Sequence, residues 1–153
     1  MLIGPPGCGK STYIKDRVHS KDFYIASTDN IIIEFCKEKG ITYDQGFKKF
    51  FKDAENRMKK EIIEAIRNDV SIIWDQTNLT VKSRVKKLEM IPDKYFKEAF
   101  YFIINEDELR RRLHYRAQKE GKTIPEHVLC SMLKNYEVPS SDEGFDVVNE
   151  ITN

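Results

Sequence analysis

Gly4-Pro5-Pro6-Gly7-Cys8-Gly9-Lys10-Ser11-Thr12 fills every fixed position of the phosphate-binding pattern G-x-x-x-x-G-K-[ST]. A loop that wraps an anion turns its backbone N–H groups inward, through conformations and close approaches that a Cβ would block. Lys10 is then placed to neutralise terminal phosphate oxygens, and the Ser11 hydroxyl offers one oxygen to a hard cation such as Mg²⁺. A helix starting near Lys10 points the positive end of its dipole at the same anion. Met1-Leu2-Ile3 supplies a short apolar strand before the loop, and Tyr13, Ile14 and Val18 continue an apolar helical pattern after it. Loop residues Gly7, Cys8, Gly9, Lys10, Ser11 and Thr12 are the expected phosphate contacts. Cys8 also sits where a helix N-terminus and Lys10 would favour a reactive thiolate.

The chain has 153 residues, 40% hydrophobic and 33% charged, which suits one domain with a core of its own. Its apolar runs are far shorter than a membrane span, and no charged-then-apolar leader opens it, so a cytoplasmic protein is expected. Cys8, Cys36 and Cys130 are odd in number and widely spaced, unlike a disulfide framework or a zinc site. A net charge of +1 names no partner by itself. Lys82, Arg84, Lys86, Lys87 and the cations of 110–122 load the second half, mostly as solvated helix faces.

Apolar runs alternate with amphipathic segments, the pattern of βαβ units and a parallel sheet with helices on both faces. Phe23-Tyr24-Ile25-Ala26 reads as the second strand, which puts Asp29 at the carboxyl end where ligands of open α/β sheets bind. Asp29 is equally suited to capping the helix that follows and that Gly40 stops. From Asp44 to Arg67, the residues Phe47, Phe50, Phe51, Ala54, Met58, Ile62 and Ile66 form the core-facing stripe of one long helix. This stripe reads as packing, not as a platform for bases.

Val70 to Trp74 is the third strand. Asp75 follows it, either in a water-mediated role at magnesium or as a structural cap. Asn78 or Thr80 caps the next helix, whose Val81, Val85 and Leu88 face inward. A fourth strand lies within 96–104, and Asn105 opens a helix with Leu109 and Leu113 on its buried face. Arg112 and Arg116 border that face and are placed to reach phosphoryl oxygens. The polar stretch 117–123 reads as a lid, Pro125 starts another helix, and Val147-Val148 marks a fifth strand.

Three groups of residues together resemble the phage T4-type polynucleotide 5′-kinase family, shared with the kinase half of animal polynucleotide kinase phosphatases. They are Asp29, Asp75-x-Thr77-Asn78 and Ile124-Pro125-x-x-Val128-x-x-x-Met132, with the closing Tyr136-Glu137-x-Pro139-x-x-x-Glu143-Gly144-Phe145 like the animal enzymes. The resemblance covers essentially the whole chain. It implies a single adenylate-kinase-like P-loop kinase domain, α/β, with three α/β/α layers, a five-stranded parallel sheet and a short lid at about 117–123. It also implies an ATP- and Mg²⁺-dependent kinase acting on the 5′-hydroxyl of DNA or RNA. In that family Asp29 aligns with the general base, Arg116 with the lid arginine and Arg112 with a nucleotide contact. Lys10 completes the catalytic set, Ser11 the metal contact, and Asp75, Thr77, Asn78 and Arg84 the acceptor side. The arginines that flank the base in the phage pattern are Thr28 and Ile32 here, and no D-x-D-G-T phosphatase segment follows. A small-molecule kinase of the same fold, with a sugar, nucleoside or aminoacyl acceptor, is the alternative. Localisation would be the cytoplasm, or the host cytoplasm for a phage protein, with oligomeric state open.

Overall fold

A computed structural model describes residues 1–18 and 22–152. Five parallel strands alternate with helices: β1 (Leu2–Ile3), α1 (Lys10–Arg17), β2 (Phe23–Ala26), α2 (Thr28–Lys39), α3 (Tyr43–Arg67), β3 (Ser71–Trp74), α4 (Val81–Leu88), β4 (Glu98–Ile103), α5 (Glu106–Glu120), α6 (Glu126–Lys134) and β5 (Val147–Thr152). β2 pairs with β3, and β1 pairs with β4, which pairs with β5. The two groups meet at a parallel bridge between Leu2 and Asp75, giving the order β2-β3-β1-β4-β5. Every βα connection therefore opens at one rim of the sheet. Among the described residues no helix is long and apolar enough to cross a membrane.

Period-two alternation along the strands builds the layers. Leu2, Ile25, Ile73, Phe100 and Phe102 pack with Ile14 and Tyr13 of α1 on one face. Ala26, Trp74, Tyr24 and Ile72 pack with α2 and α3 on the other, where Ile3, Ala99 and Tyr101 meet Leu88 of α4 and Phe145. The result is the P-loop kinase arrangement of helices on both sides of a parallel sheet.

α2 is capped by Ser27, whose side chain accepts from Asn30 N at 3.4 Å, so Asp29 is not the cap; it lies in the first helical turn. Likewise Thr80 caps α4 by accepting from Ser83 N, not Asn78. α2 and α3 lie so close that a Cβ on Gly46 would clash with Cys36 Sγ.

Three expectations change. The stripe on α3 is buried at Ala54, Met58 and Ile62, but Phe47 and Phe51 are 43% and 37% exposed. A 25-residue helix is about 37 Å long, whereas the four-residue strands beneath it span about 13 Å, so its first turns overrun the sheet. Second, residues 117–120 belong to α5, which runs on until Gly121 ends it at φ 63°; only 121–125 remains loop. Ala, Gln, Lys and Glu are good helix formers, and no breaker precedes Gly121.

Third, Arg84 is wholly buried, not on an acceptor cleft. Its Nε and Nη2 donate to Glu143 Oε2 and Oε1 at 2.6 and 2.7 Å, and Nη1 donates to the carbonyls of Asn78, Leu79 and Glu137. Glu143 lies in a one-turn 3-10 helix, Ser141–Glu143, so this fork ties the segment before β5 to α4. Truncating one partner of a buried pair strands the other charge. Arg84→Ala is therefore expected to cost about 3–5 kcal/mol, a fall of roughly 6–20 °C in melting temperature. Thermal unfolding checks this.

Candidate active site

The loop after β1 is held at its entry by Gly4 N, which donates to Thr77 O at 2.9 Å. Gly7 and Gly9 take φ values of 85° and 107°, in the left-handed region that glycine alone adopts without strain. A Cβ on Gly7 would also meet Leu113 Cδ2 at 3.1 Å and Leu109 Cδ1 at 3.3 Å. α5 thus packs directly behind the phosphate loop, and its register carries Arg112 and Arg116 to the border of that contact. Lys10 is buried, and its ammonium donates to Gly4 O at 2.8 Å and Pro5 O at 3.0 Å.

Cys8 is fully buried inside the loop. Burial pushes its thiol up from the ordinary value, outweighing the opposing pull of Lys10, so the reactive thiolate is not supported. The three cysteines form no disulfide.

Asp75 follows β3 on the same rim. Its Oδ2 accepts from Ser11 Oγ at 3.5 Å. Burial pushes the Asp75 carboxyl above its ordinary value; Lys10 opposes this, Asp29 reinforces it, and Ser11 and Lys122 oppose it. Gln76, next to Asp75, donates its Nε2 to Thr28 Oγ1 at 3.2 Å, so the turn after β3 adjoins the first turn of α2 and Asp29 stands on the rim from which the phosphate loop opens. Asp29 Oδ1 in turn accepts from Tyr43 Oη at 2.7 Å. Burial pushes the Tyr43 hydroxyl far up, Asp29 adds to the rise, and Arg116 works against it. The Lys122 ammonium sits 4.8 Å from the centre of the Tyr43 ring. Lys10, Ser11, Asp75, Asp29, Tyr43 and Lys122 therefore gather on one rim, drawn from the ends of β1, β2 and β3, the start of α3 and the loop after α5, with Arg116 joined to Lys122 through Glu120.

The remaining expected residues divide. Arg112 Nε donates to Glu108 Oε1 at 2.7 Å and Arg116 Nε to Glu120 Oε2 at 3.4 Å, each one helical turn away. Thr77 is half-buried and holds the loop through its carbonyl. Asn78 is buried with φ 51°, and its Nδ2 donates to Leu2 O at 2.7 Å and Gln76 O at 3.2 Å while its Oδ1 accepts from Lys87. The Asn78 side chain thus binds β1 to the end of β3, not an acceptor. Burial lowers the Lys87 ammonium to about 8.

Tyr43 and Lys122 were not singled out for this site by the sequence. Gln76 was also missed; its Nε2 donates to Thr28 Oγ1 at 3.2 Å and its Oε1 accepts from Trp74 Nε1 at 3.0 Å, locking α2 to β3. Tyr43 directly follows the Thr42 cap of α3, and only that position at a helix start hinted at it.

Among the described residues no group of three or more His, Cys, Asp or Glu is placed to hold a metal ion. Ser11 and Asp75 do offer adjoining hard oxygens. That donor set fits Mg²⁺, which keeps several waters and takes one or two protein oxygens beside substrate phosphates.

A family profile described as "AAA domain" matches residues 1–139. The chain is 24% identical over 160 residues to heterogeneous nuclear ribonucleoprotein U-like protein 2 of Mus musculus, covering 99% of this chain and 21% of that protein. It is 24% identical over 153 residues to the bifunctional polynucleotide phosphatase/kinase of Schizosaccharomyces pombe, covering 99% and 32%. Similarity to the adenylate kinase of Mycoplasma capricolum subsp. capricolum is 27% over 167 residues, covering 97% and 76%. The chain thus spans about a fifth to a third of the first two relatives. The fold and these similarities describe a P-loop kinase-like domain.

Proposed function

Since the chain belongs to the AAA domain family, we propose that it transfers the γ-phosphate of ATP to the 5′-hydroxyl of a polynucleotide. The observation that supports this is that Asp29, in the first turn of α2, opens from the same sheet rim as the phosphate loop, with Asp75 bonded to Ser11 and its neighbour Gln76 bonded to Thr28. Similarity to a polynucleotide phosphatase/kinase over nearly the whole chain supports the choice of acceptor.

In this reading the loop amides and Lys10 hold the β- and γ-phosphates. Ser11, and Asp75 through a water, would hold Mg²⁺, which when bound would supply charge neutralisation on the phosphate oxygens. Asp29 accepts a hydrogen bond from the acceptor hydroxyl and takes its proton. The acceptor oxygen forms a bond to the γ-phosphorus, the bond to the β,γ-bridging oxygen breaks, and its electron pair leaves with ADP. Arg116 is the group from α5 that meets the charge on the three equatorial oxygens.

A small-acceptor kinase is the second reading, favoured by similarity to an adenylate kinase over most of that enzyme's length. Salt separates the two. If a strand is held by about three phosphates, its KM rises about 20-fold between 50 and 200 mM salt, whereas a neutral sugar or nucleoside acceptor responds little. Steady-state kinetics across a panel of 5′-hydroxyl DNA, RNA and small alcohols is the test. Salt-independent transfer confined to a small alcohol would overturn the polynucleotide reading.

A further inference from the structure

The first turns of α3 carry two kinds of aromatic side chain. Phe50 is turned inward onto Phe35, with ring centroids 5.3 Å apart. Tyr43, Phe47 and Phe51 instead form a ladder one helical turn apart, with centroids 6.0 Å apart for the first pair and 5.1 Å for the second. Phe47 and Phe51 expose 43% and 37% of their surface. Because the two rings touch, they form one contiguous apolar patch at the overrunning end of the helix rather than singly scattered residues, and such a patch is a candidate binding surface.

Two features identify the covering ligand. The ladder starts at the candidate base, because Tyr43 Oη donates to Asp29 Oδ1 at 2.7 Å. Exposed Lys48 and Lys52 each follow one ring by a single residue, about 100° around the helix, and so border the ladder with positive charge. Flat apolar rings flanked by ammonium groups, leading to a carboxylate beside a phosphate loop, suit a ligand that alternates π-faces with phosphates. The Lys122 ammonium lies over the Tyr43 ring, so Tyr43 links the ladder to Asp29 and the open rings are Phe47 and Phe51.

We propose that Phe47 and Phe51 are a stacking shelf for the bases of the acceptor strand, with Lys48 and Lys52 on its phosphates. This rests on the polynucleotide reading above and names the surface that reading requires. Bases stack on aromatic side chains without regard to sequence, so the shelf holds any strand whose 5′ end reaches Asp29. Along the axis Phe47 and Phe51 lie about 6 and 12 Å from Tyr43. A stacked strand rising about 3.4 Å per nucleotide covers both within about four nucleotides.

The test is the length dependence of the acceptor reaction. For the wild type, kcat/KM rises from a single 3′-phosphorylated nucleoside to a strand of about four nucleotides and then levels. Phe47→Leu and Phe51→Leu keep an apolar side chain but remove the ring. Each raises the KM for an eight-nucleotide strand by about 5- to 150-fold, leaving the KM for ATP and the rate on the single nucleotide unchanged. Phe47→Tyr keeps the ring and the wild-type KM. An unaltered strand KM in both leucine variants, or an equal rise for the single nucleotide, overturns the shelf while leaving the polynucleotide reading intact. A wild type that phosphorylates no strand of any length overturns both.

Discussion

Replacing Arg116 with alanine is expected to slow phosphoryl transfer by about 10³- to 10⁵-fold, the range that an inserted arginine supplies in GTPases. Leu109 and Leu113 press α5 against Gly7 of the phosphate loop, and Arg116 follows Leu113 by three residues on the same side. Its partner Glu120 also pairs with Lys122, whose ammonium lies over the ring of Tyr43, the partner of Asp29, so Arg116 is joined to the base side of the site. Its contact with Glu120 is long, at 3.4 Å, and half-exposed. Such a surface pair is worth little, so turning the guanidinium toward a phosphate costs almost nothing. Glu120→Ala should therefore leave transfer near the wild-type rate. Arg116→Lys should rescue poorly, because a point charge does not reproduce the planar fork of donors. Single-turnover rates at saturating ATP separate this effect from one on binding.

Asp29→Asn is expected to lower kcat by about 10²- to 10⁴-fold, the usual contribution of a positioned general base. The amide oxygen still accepts from Tyr43, and Ser27 caps α2 in any case, so folding is preserved. What is lost is the ability to take a proton. ATP affinity should change little, since the loop and Lys10 are untouched; equilibrium binding of a fluorescent ATP analogue beside the transfer rate measures both. An Asp29→Asn protein that transfers at the wild-type rate would remove the base from the account.

The strands and the helix starts were legible because the local signals agree: apolar runs end in polar clusters, and Gly40 stops α2 in the left-handed conformation. The phosphate loop was legible because its glycines and lysine follow from anion chemistry alone. Arg84 was misread by type, as a cation on a surface. Its position three residues after Val81 and four before Leu88 already places it on the inward face of α4, where Glu143 meets it. Phe47 and Phe51 keep the helical period of a core stripe, and period alone does not show that the sheet ends before the helix does. Tyr43 and Asp29 are 14 residues apart, and their contact exists only because Gly46 lets α3 lie against Cys36 of α2.

The most direct measurement is transfer of label from [γ-³²P]ATP to a 5′-hydroxyl oligonucleotide, with the labelled position mapped by a 5′-specific phosphatase. The account predicts label on the strand at its 5′ terminus, abolished by Asp29→Asn while ATP still binds. Label released only as inorganic phosphate, or found on a small alcohol and never on a strand, would contradict it.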